Sequence, residues 1–286
     1  MQRIVVGTDF SDGSLAALDW AARLAREAAV PLEVATSWEH PWWAFLPSFV
    51  NPTPVPRDED IEPRLLTQLE DMLSELDLEC PEITASVHHG GAAQTLVSIV
   101  GKDDLLVVGT RGRGAVADTV LGSVSERCVA TAPCPVAVVP ETDVDATLPV
   151  VVAVDGSENS IAAARWVADT IASLRDVAVA SAYGVPLVMG FEAMSQSYEA
   201  ALELERQSAT EVVDEVVEML TEAGARAWAD VEPGDPRTVL AAAEDKASML
   251  VIGARGRGAV THALLGSVAT SLVHHPVCPI VVVPAP

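Results

Sequence analysis

The chain has 286 residues and a formal net charge of −24, and 50% of its residues are hydrophobic whereas 20% are charged. Its length predicts two domains of ordinary size, each large enough for its own core. Because the negative charge repels nucleic acid and anionic lipid, both are poor candidates for a partner, and no apolar stretch reaches the roughly 20 residues of a membrane span.

Short valine-rich strands alternate with helices in the first half of the chain. One predicted helix, at 61–77, is amphipathic, with leucines on one side and acidic residues on the other. This alternation predicts a mostly parallel sheet that is covered by helices on both faces. The predicted strands are 3–8, 32–38, 83–88, 104–109 and 135–139, and the predicted helices are 13–28, 61–77, 92–101 and 121–131.

The N-terminal residues and the cysteines predict a cytoplasmic protein. The first strand begins at Arg3, which leaves no room for a signal peptide ahead of it. Since no two cysteines have CxxC spacing, we expect small buried side chains rather than metal ligands or disulfides. The cysteines are Cys80, Cys128, Cys134 and Cys278.

The segment 40–63 interrupts the alternation of strands and helices. It contains two tryptophans, two phenylalanines and six prolines, and it includes the acidic run Asp58-Glu59-Asp60. Because long loops in compact domains are often functional, a lid or a docking surface for a partner is one interpretation. The preferred alternative is an irregular connection whose aromatic side chains pack on the host domain.

The second half of the chain repeats the first. Residues 109–140 align with 253–284 without a gap, and roughly half of the aligned positions are identical. The two strands that open the halves also correspond, and each is followed by a serine and an alanine-rich helix. We therefore predict two domains and a linker. The domains are 1–140 and 149–286, and the linker is 141–148.

A glycine motif follows the fourth strand of each half. Backbone N–H groups can approach an anion closely at glycines, and the helix that follows adds the positive end of its dipole. Four arginines of this acidic chain also lie in the two loops, which favours phosphate as the ligand over ordinary surface ion pairs. The first copy reads Gly109-Thr110-Arg111-Gly112, nine residues, Gly122-Ser123, and the second reads Gly253-Ala254-Arg255-Gly256, nine residues, Gly266-Ser267; the four arginines are Arg111, Arg113, Arg255 and Arg257.

Two other classes of phosphate motif fit the chain poorly. A Walker loop requires a lysine after its second glycine, and neither glycine loop contains a lysine. A dinucleotide-binding GxGxxG/A pattern is matched by residues 112–117. That match follows the fourth strand rather than the first, and the second copy replaces the final small residue with Thr261.

With the motif fulfilled in both copies, the chain resembles tandem universal stress proteins of the subgroup that carries GxxGx9G(S/T) and binds ATP. The resemblance covers nearly the whole chain except the segment 40–63 and the linker. It implies an α/β fold of two tandem Rossmann-like domains, similar to the adenine nucleotide α-hydrolase group, each a five-stranded parallel sheet covered by helices on both faces. It also implies ATP as the ligand, with or without magnesium, and pairing through the last strands, either within the chain or in a homodimer.

The same resemblance implies which residues bind the nucleotide. The aspartates contact adenosine, the glycines and serines surround the phosphates and ribose, and the valine N–H groups add donors. The first site comprises Asp9, Gly109, Gly112, Gly122, Ser123 and Val124, and the second comprises Asp155, Gly253, Gly256, Gly266, Ser267 and Val268. The aspartates and serines could instead be helix N-caps. Because Phe10 replaces the glycine found at Gly156, we expect the second site to be the better formed.

The chemistry of the chain favours binding over catalysis. No spacing places a nucleophile beside a base and an acid, and no carboxylate cluster indicates a metal site, so we predict no catalytic residue. The leading hypothesis is a nucleotide-dependent regulator of stress response or growth that is read by an unidentified protein partner. The alternatives are a slow ATP hydrolase or nucleotidyl-transferring enzyme, and a nucleotide-free assembly module in which the glycine loops only pack.

Overall fold

The computed structural model describes residues 1–40, 57–76, 78, 80–112, 121–184, 195–257 and 265–285. The first half contains five strands and four helices within these ranges. They are β1 (Ile4–Gly7), α1 (Asp12–Ala28), β2 (Leu32–Trp38), α2 (Asp58–Glu75), β3 (Ile83–His89), α3 (Ala92–Ile99), β4 (Leu105–Gly109), α4 (Ser123–Thr131) and β5 (Val136–Val139).

The second half repeats this order of elements. It comprises β6 (Val150–Ala153), α5 (Glu158–Thr170), β7 (Val177–Tyr183), α6 (Ser195–Glu222), β8 (Ala227–Pro233), α7 (Pro236–Glu244), β9 (Met249–Gly253), α8 (Ser267–His274) and β10 (Ile280–Val283). Among the helices described, none is long and apolar enough to cross a membrane.

Each half forms a five-stranded parallel sheet, which confirms the predicted fold class. The strand order is β3-β2-β1-β4-β5 in the first half and β8-β7-β6-β9-β10 in the second. The strands are short and rich in valine because both faces of the sheet are buried, and β4, β5, β6 and β10 have every residue buried.

The two sheets join into one sheet of ten strands. β5 pairs with β10 in an antiparallel register in which Val138 lies opposite Ile280 and Val136 lies opposite Val282. Pairing through the last strands is therefore present within the chain. Each of these strands also pairs with β4 or β9 of its own half, so both edges of each strand are occupied. A homodimer remains a prediction, but it would have to form through another surface.

Two apolar layers cover the sheet. One contains the buried faces of α1, α2, α5 and α6, and the other contains those of α3, α4, α7 and α8. Both layers continue across the β5–β10 junction, because side chains of these two strands belong to each of them. Burial of this apolar surface is the main source of stability and makes the two halves one packed body.

The start of α2 differs from the sequence expectation. The helix begins at Asp58, so the acidic run Asp58-Glu59-Asp60 is its first turn rather than part of a loop, and Pro63 lies inside it. Acidic residues in a first turn interact favourably with the helix dipole, whereas Pro63, in the second turn, removes one backbone hydrogen bond of the helix. Of the predicted interruption at 40–63, residues 41–56 lie outside the described residues.

A partly buried ion pair also connects the two halves. The guanidinium of Arg175 donates to both carboxylate oxygens of Glu27 in α1, at 2.9 and 2.8 Å. Its third nitrogen donates to Ser248 Oγ at 3.2 Å. Because the Arg175 side chain is only 12% exposed, this contact is shielded from water far more than an ordinary surface pair.

Replacing Arg175 with alanine should lower the free energy of unfolding by about 2 kcal/mol, because Glu27 and Ser248 lose a charged donor. Urea unfolding followed by circular dichroism measures this loss. Arg226→Ala is the matched control, since the Arg226 side chain pairs with Asp176 but is 83% exposed, and it should cost below about 0.5 kcal/mol. Equal losses for the two variants would contradict the assignment.

A buried carboxyl group caps the turn before β10. Glu244, at the end of α7, is buried, and its Oε2 accepts a hydrogen bond from the Val277 N–H at 2.8 Å. Burial raises the pKa of Glu244 to about 7, although the N–H groups of Val277 and Cys278 favour its ionised form. The folded protein therefore holds this proton over a pH range in which an unfolded chain has released it.

This carboxyl group should make stability fall as pH rises from about 4.5 to about 7. Glu244→Gln keeps an acceptor oxygen but cannot ionise, so its stability relative to the parent chain should increase over that range by roughly 2–3 kcal/mol. Urea unfolding of both chains at pH 5 and pH 8 provides the comparison. A difference that does not change with pH would show that Glu244 ionises as an ordinary surface carboxyl does.

Candidate functional site

The predicted site residues of each half meet at the carboxyl ends of its strands. The strand order reverses between β1 and β4 and between β6 and β9, which is where open α/β sheets form a ligand crevice. Asp9 follows β1 and Gly109 ends β4; in the second half, Asp155 follows β6 and Gly253 ends β9. The structure thus brings the aspartate and the glycine loop together in each half.

The helices that follow the aspartates are capped by serines. Ser11 is the N-cap of α1 and accepts from the N–H of Ser14, and Ser157 is the N-cap of α5 and accepts from the N–H of Ser160. The interpretation of Asp9 and Asp155 as N-caps is therefore wrong. Each aspartate lies two residues earlier, which leaves its carboxylate at the floor of the crevice.

The Asp155 carboxylate accepts two backbone hydrogen bonds. Oδ1 accepts from the Ser157 N–H and Oδ2 accepts from the Arg257 N–H, both at 2.9 Å. Burial acts to raise the pKa of Asp155, but hydrogen bonds from Ser157, Arg257 and Ser160 outweigh it and hold the pKa below its usual value. Asp9 has the matching contact in the first half, because its Oδ1 accepts from the Ser11 N–H at 3.1 Å.

The first glycine of each motif is required by packing. A Cβ atom on Gly109 would lie 2.5 Å from the carbonyl oxygen of Gly13, and one on Gly253 would lie 2.6 Å from the carbonyl carbon of Asn159. Gly13 and Asn159 are in the first turns of α1 and α5. These glycines therefore let a helix N-terminus lie directly against the end of β4 or β9.

The last glycine of each motif begins a helix whose N-terminal turn lacks a side-chain cap. Gly122 and Gly266 are the N-caps of α4 and α8, and as glycines they have no side chain with which to accept from the first-turn N–H groups. Ser123 and Ser267 are the first helical residues, so their interpretation as caps is wrong. The N–H groups of the first turn are unused donors of each helix, and the helix dipole adds positive potential there.

A cavity of about 830 Å³ occupies the second crevice, a size within the usual range of small-molecule sites. One end is lined by the glycine loop, with Arg255 and Arg257, and by Ser267 and Val268 at the start of α8. The other end is lined by β7, α6 and the turn before α7. That second lining set includes Ala182, Tyr183, Gly184, Glu205, Gly234 and Leu240.

Sequence reasoning missed this second end of the cavity. Tyr183 ends β7 and Gly234 follows β8, so their positions at the carboxyl ends of parallel strands were an available signal. Glu205 carried no such signal. The valine periodicity marked only the part of α6 near Val212–Leu220, whereas the helix begins at Ser195 and its earlier turns reach the crevice.

The first crevice differs from the second at equivalent positions. Phe10 has φ 63°, the left-handed conformation that Gly156 adopts with φ 77°, and its ring packs against the core. Trp38 ends β2 where Tyr183 ends β7, and its ring contacts His89 at a centroid distance of 4.5 Å. Several residues of the two glycine loops lie outside the described residues. They include Arg113 in the first half and Thr261 and His262 in the second.

Comparisons with known proteins agree with the repeat and the fold. The model of the Universal stress protein family matches residues 1–140 and again 147–284. A universal stress protein from Mycobacterium tuberculosis (strain ATCC 25618 / H37Rv) is 31% identical over 317 residues, covering 99% of this chain and 95% of that protein.

Solved structures with the same fold include a universal stress protein from Archaeoglobus fulgidus DSM 4304. It has a TM-score of 0.66 and 19% identity, and the match covers 99% of this chain and 98% of that chain. A universal stress protein described in complex with cAMP is 27% identical, with a TM-score of 0.35, over 49% of this chain and 98% of that chain.

Gly253→Ala should destabilise the protein by about 2–4 kcal/mol, because its methyl group would meet backbone atoms of α5 that cannot move without shifting the helix. Gly101→Ala is the matched control, since its Cβ atom would lie 3.6 Å from Asp104 Oδ2, an ordinary contact, and it should change stability by no more than about 0.5 kcal/mol. Denaturant unfolding measures both. A Gly253→Ala protein as stable as the control would mean that packing does not require this glycine.

Proposed function

The chain belongs to the universal stress protein family, and we propose that it binds ATP and acts as a nucleotide-dependent regulator of stress response or growth without dedicated catalysis. The main support for the proposal is the lining of the second crevice. There, a helix N-terminus without a side-chain cap and two arginines line one end of a cavity of nucleotide size. The opposite end is lined mainly by small and apolar residues.

The glycine-loop end of the cavity suits phosphate. The first-turn N–H groups of α8, from Ser267 and Val268 onward, are donors without an intrahelical acceptor, and anions bind well at such positions. Arg255 and Arg257 add positive charge in a chain whose net charge is −24. Phosphate therefore gains both hydrogen bonds and charge compensation at this end of the crevice.

The β7 end of the cavity suits a flat nucleoside. Tyr183 supplies an aromatic wall, and Gly184 and Gly234, whose backbones lie against each other, line the cavity without side chains that would fill it. Asp155 lies between the two ends, where a carboxylate can accept from a ribose hydroxyl or an amino group. This arrangement supports an adenine nucleotide with its base near β7 and its phosphates at α8.

Magnesium fits the proposal as an ion carried by the nucleotide. In the described part of the chain, no group of three or more His, Cys, Asp or Glu side chains could hold a metal. Magnesium commonly binds through substrate phosphates and water with few protein ligands, so such a group is not needed. Ser267, at the start of α8, is one of the hydroxyl residues that line this end of the cavity and would be available to such an ion.

The lining of the second cavity supports binding more than catalysis. Its described residues include no histidine, cysteine or lysine, which are common general bases and nucleophiles. In the first half, His88 is engaged with Ser86 Oγ at 3.1 Å. A slow ATP hydrolase or nucleotidyl-transferring enzyme remains the enzymatic alternative.

A nucleotide-free assembly module is the second candidate function. The close contact between Gly253 and Asn159 favours it, because packing alone explains that glycine. Packing does not explain why two arginines line the crevice of this acidic chain. A cytoplasmic location, a protein partner that reads the bound state, and a homodimer remain parts of the proposal.

Ser267→Glu should lower the affinity for ATP at the second site at least about tenfold, because a carboxylate at the start of α8 repels phosphate. The same negative charge interacts favourably with the helix dipole, so the melting temperature of the variant should not fall. Isothermal titration with ATP, with and without magnesium, measures binding, and cAMP and AMP serve as alternative nucleotides.

Ser123→Glu is the matched control in the first half and should remove whatever binding belongs to the first site alone. Ser267→Ala controls for loss of the hydroxyl and should weaken binding only a few-fold. If the parent chain binds none of the nucleotides, or if Ser267→Glu binds ATP as tightly as the parent, nucleotide binding in this crevice is rejected.

A further inference from the structure

We propose that Asp155 is a positioning residue that fixes the second glycine loop and so places Arg257 for a polyphosphate. This inference deepens the proposed function and rests on it. The resemblance to the family assigns Asp155 to the adenosine end of the ligand. The contacts of the carboxylate instead connect it to the loop at the phosphate end.

The first contact is the hydrogen bond from the Arg257 N–H to Asp155 Oδ2, at 2.9 Å. It joins residues 102 positions apart in the chain, between the end of β6 and the loop after β9. Hydrogen bonds from backbone N–H groups to a carboxylate are charge-assisted and stronger than neutral ones. Oδ1 accepts from the Ser157 N–H, so each oxygen of Asp155 already holds one segment of backbone.

The second contact explains the middle glycine of the motif. A Cβ atom on Gly256 would lie 2.5 Å from Asp155 Oδ2. The carboxylate therefore occupies the space that any side chain at position 256 would need. On this geometry a side chain at position 256 would displace the Asp155 carboxylate from the Arg257 N–H, whether or not a ligand is bound.

The third contact orients the Arg257 side chain. A Cβ atom on Gly156 would lie 2.5 Å from Arg257 Nη2, so the guanidinium lies over this glycine. Gly156 has φ 77°, a conformation in which most side chains are strained. The backbone of Arg257 is thus held by Asp155, its guanidinium lies against the next residue, and Arg257 is one of the residues that line the cavity.

The first half has the same carboxylate–glycine contact. Asp9 Oδ2 lies against the position of a Cβ atom on Gly112, as Asp155 does at Gly256. Asp9 Oδ1 also accepts from the N–H two residues later, as Asp155 does. Recurrence in two halves with different lining residues indicates that the contact belongs to the loop rather than to one ligand.

A positioning role for Asp155 and a direct contact with adenosine predict different losses of affinity. If Asp155 acts through the loop, replacing it should lower the affinity most for the ligands that carry the most phosphate groups. ATP should lose affinity strongly, whereas adenosine, which has no phosphate to meet Arg257, should lose little. A direct contact with the nucleoside would weaken both ligands by the same factor.

The test measures ATP and adenosine binding to the full chain with Asp155→Ala, Arg257→Ala and the double change. Titration gives the ATP affinity, and displacement of ATP gives that of adenosine. Each single change should lower ATP affinity about tenfold or more, while adenosine changes less than about threefold. The double change should cost little more than either single one, because Asp155 acts by placing Arg257.

Hydrogen exchange in nucleotide-free protein supplies a readout that does not depend on binding. The Arg257 amide should exchange about tenfold faster or more in Asp155→Ala, because its acceptor is gone. Asp155→Asn, which keeps the shape of the side chain but only one acceptor oxygen, should give an intermediate rate. Asp145→Ala is the matched control, since Asp145 accepts from the Thr147 N–H in the linker at 2.9 Å and should change neither readout.

Each outcome has a distinct meaning. If the parent chain binds no ATP, the proposed function fails, and the exchange rate alone decides whether Asp155 holds the loop. Binding of ATP with equal losses for ATP and adenosine, additive effects in the double change, or an unchanged Arg257 exchange rate would each overturn the positioning role while nucleotide binding stands. Should Asp155→Ala fail to fold, Asp155→Asn and Gly256→Ala provide the same comparison.

Discussion

The close approach of a helix N-terminus to the end of a neighbouring strand determines both crevices. At Gly109 and Gly253 no side chain fits, because the first turns of α1 and α5 lie against the backbone there. This approach brings the residue after β1 or β6 next to the loop after β4 or β9. The carboxylates of Asp9 and Asp155 can then touch the second glycine of each motif.

Most of the fold follows from local patterns in the sequence. Valine-rich runs and the 3.6-residue period of the helices placed the strands and helices of the first half within a few residues of their observed bounds. The start of α2 was missed because Pro63 and the acidic run were assigned to a loop. The length of α6 was missed because its first turns cover the crevice rather than the core, and so carry no apolar period.

The location of the site could be predicted from the sequence, but the contacts between its residues could not. The repeat and the ends of the strands located Asp155 and the glycine loop, since these depend on chain order alone. Whether a glycine serves a ligand or a neighbouring backbone depends on packing between segments far apart in sequence. The Arg257 N–H that Asp155 accepts, and the Asn159 backbone that Gly253 meets, could therefore not be identified from motif spacing.

The antiparallel junction of β5 and β10 has a consequence for how the halves relate. Strand direction reverses there, so the carboxyl ends of the first five strands and of the second five lie at opposite margins of one sheet. Because the two crevices lie at opposite margins, one nucleotide cannot occupy both. Because the two copies are covalently connected, they are always present in equal number even when their sequences differ. A single chain therefore carries two unlike crevices, as Phe10 in the position of Gly156 illustrates.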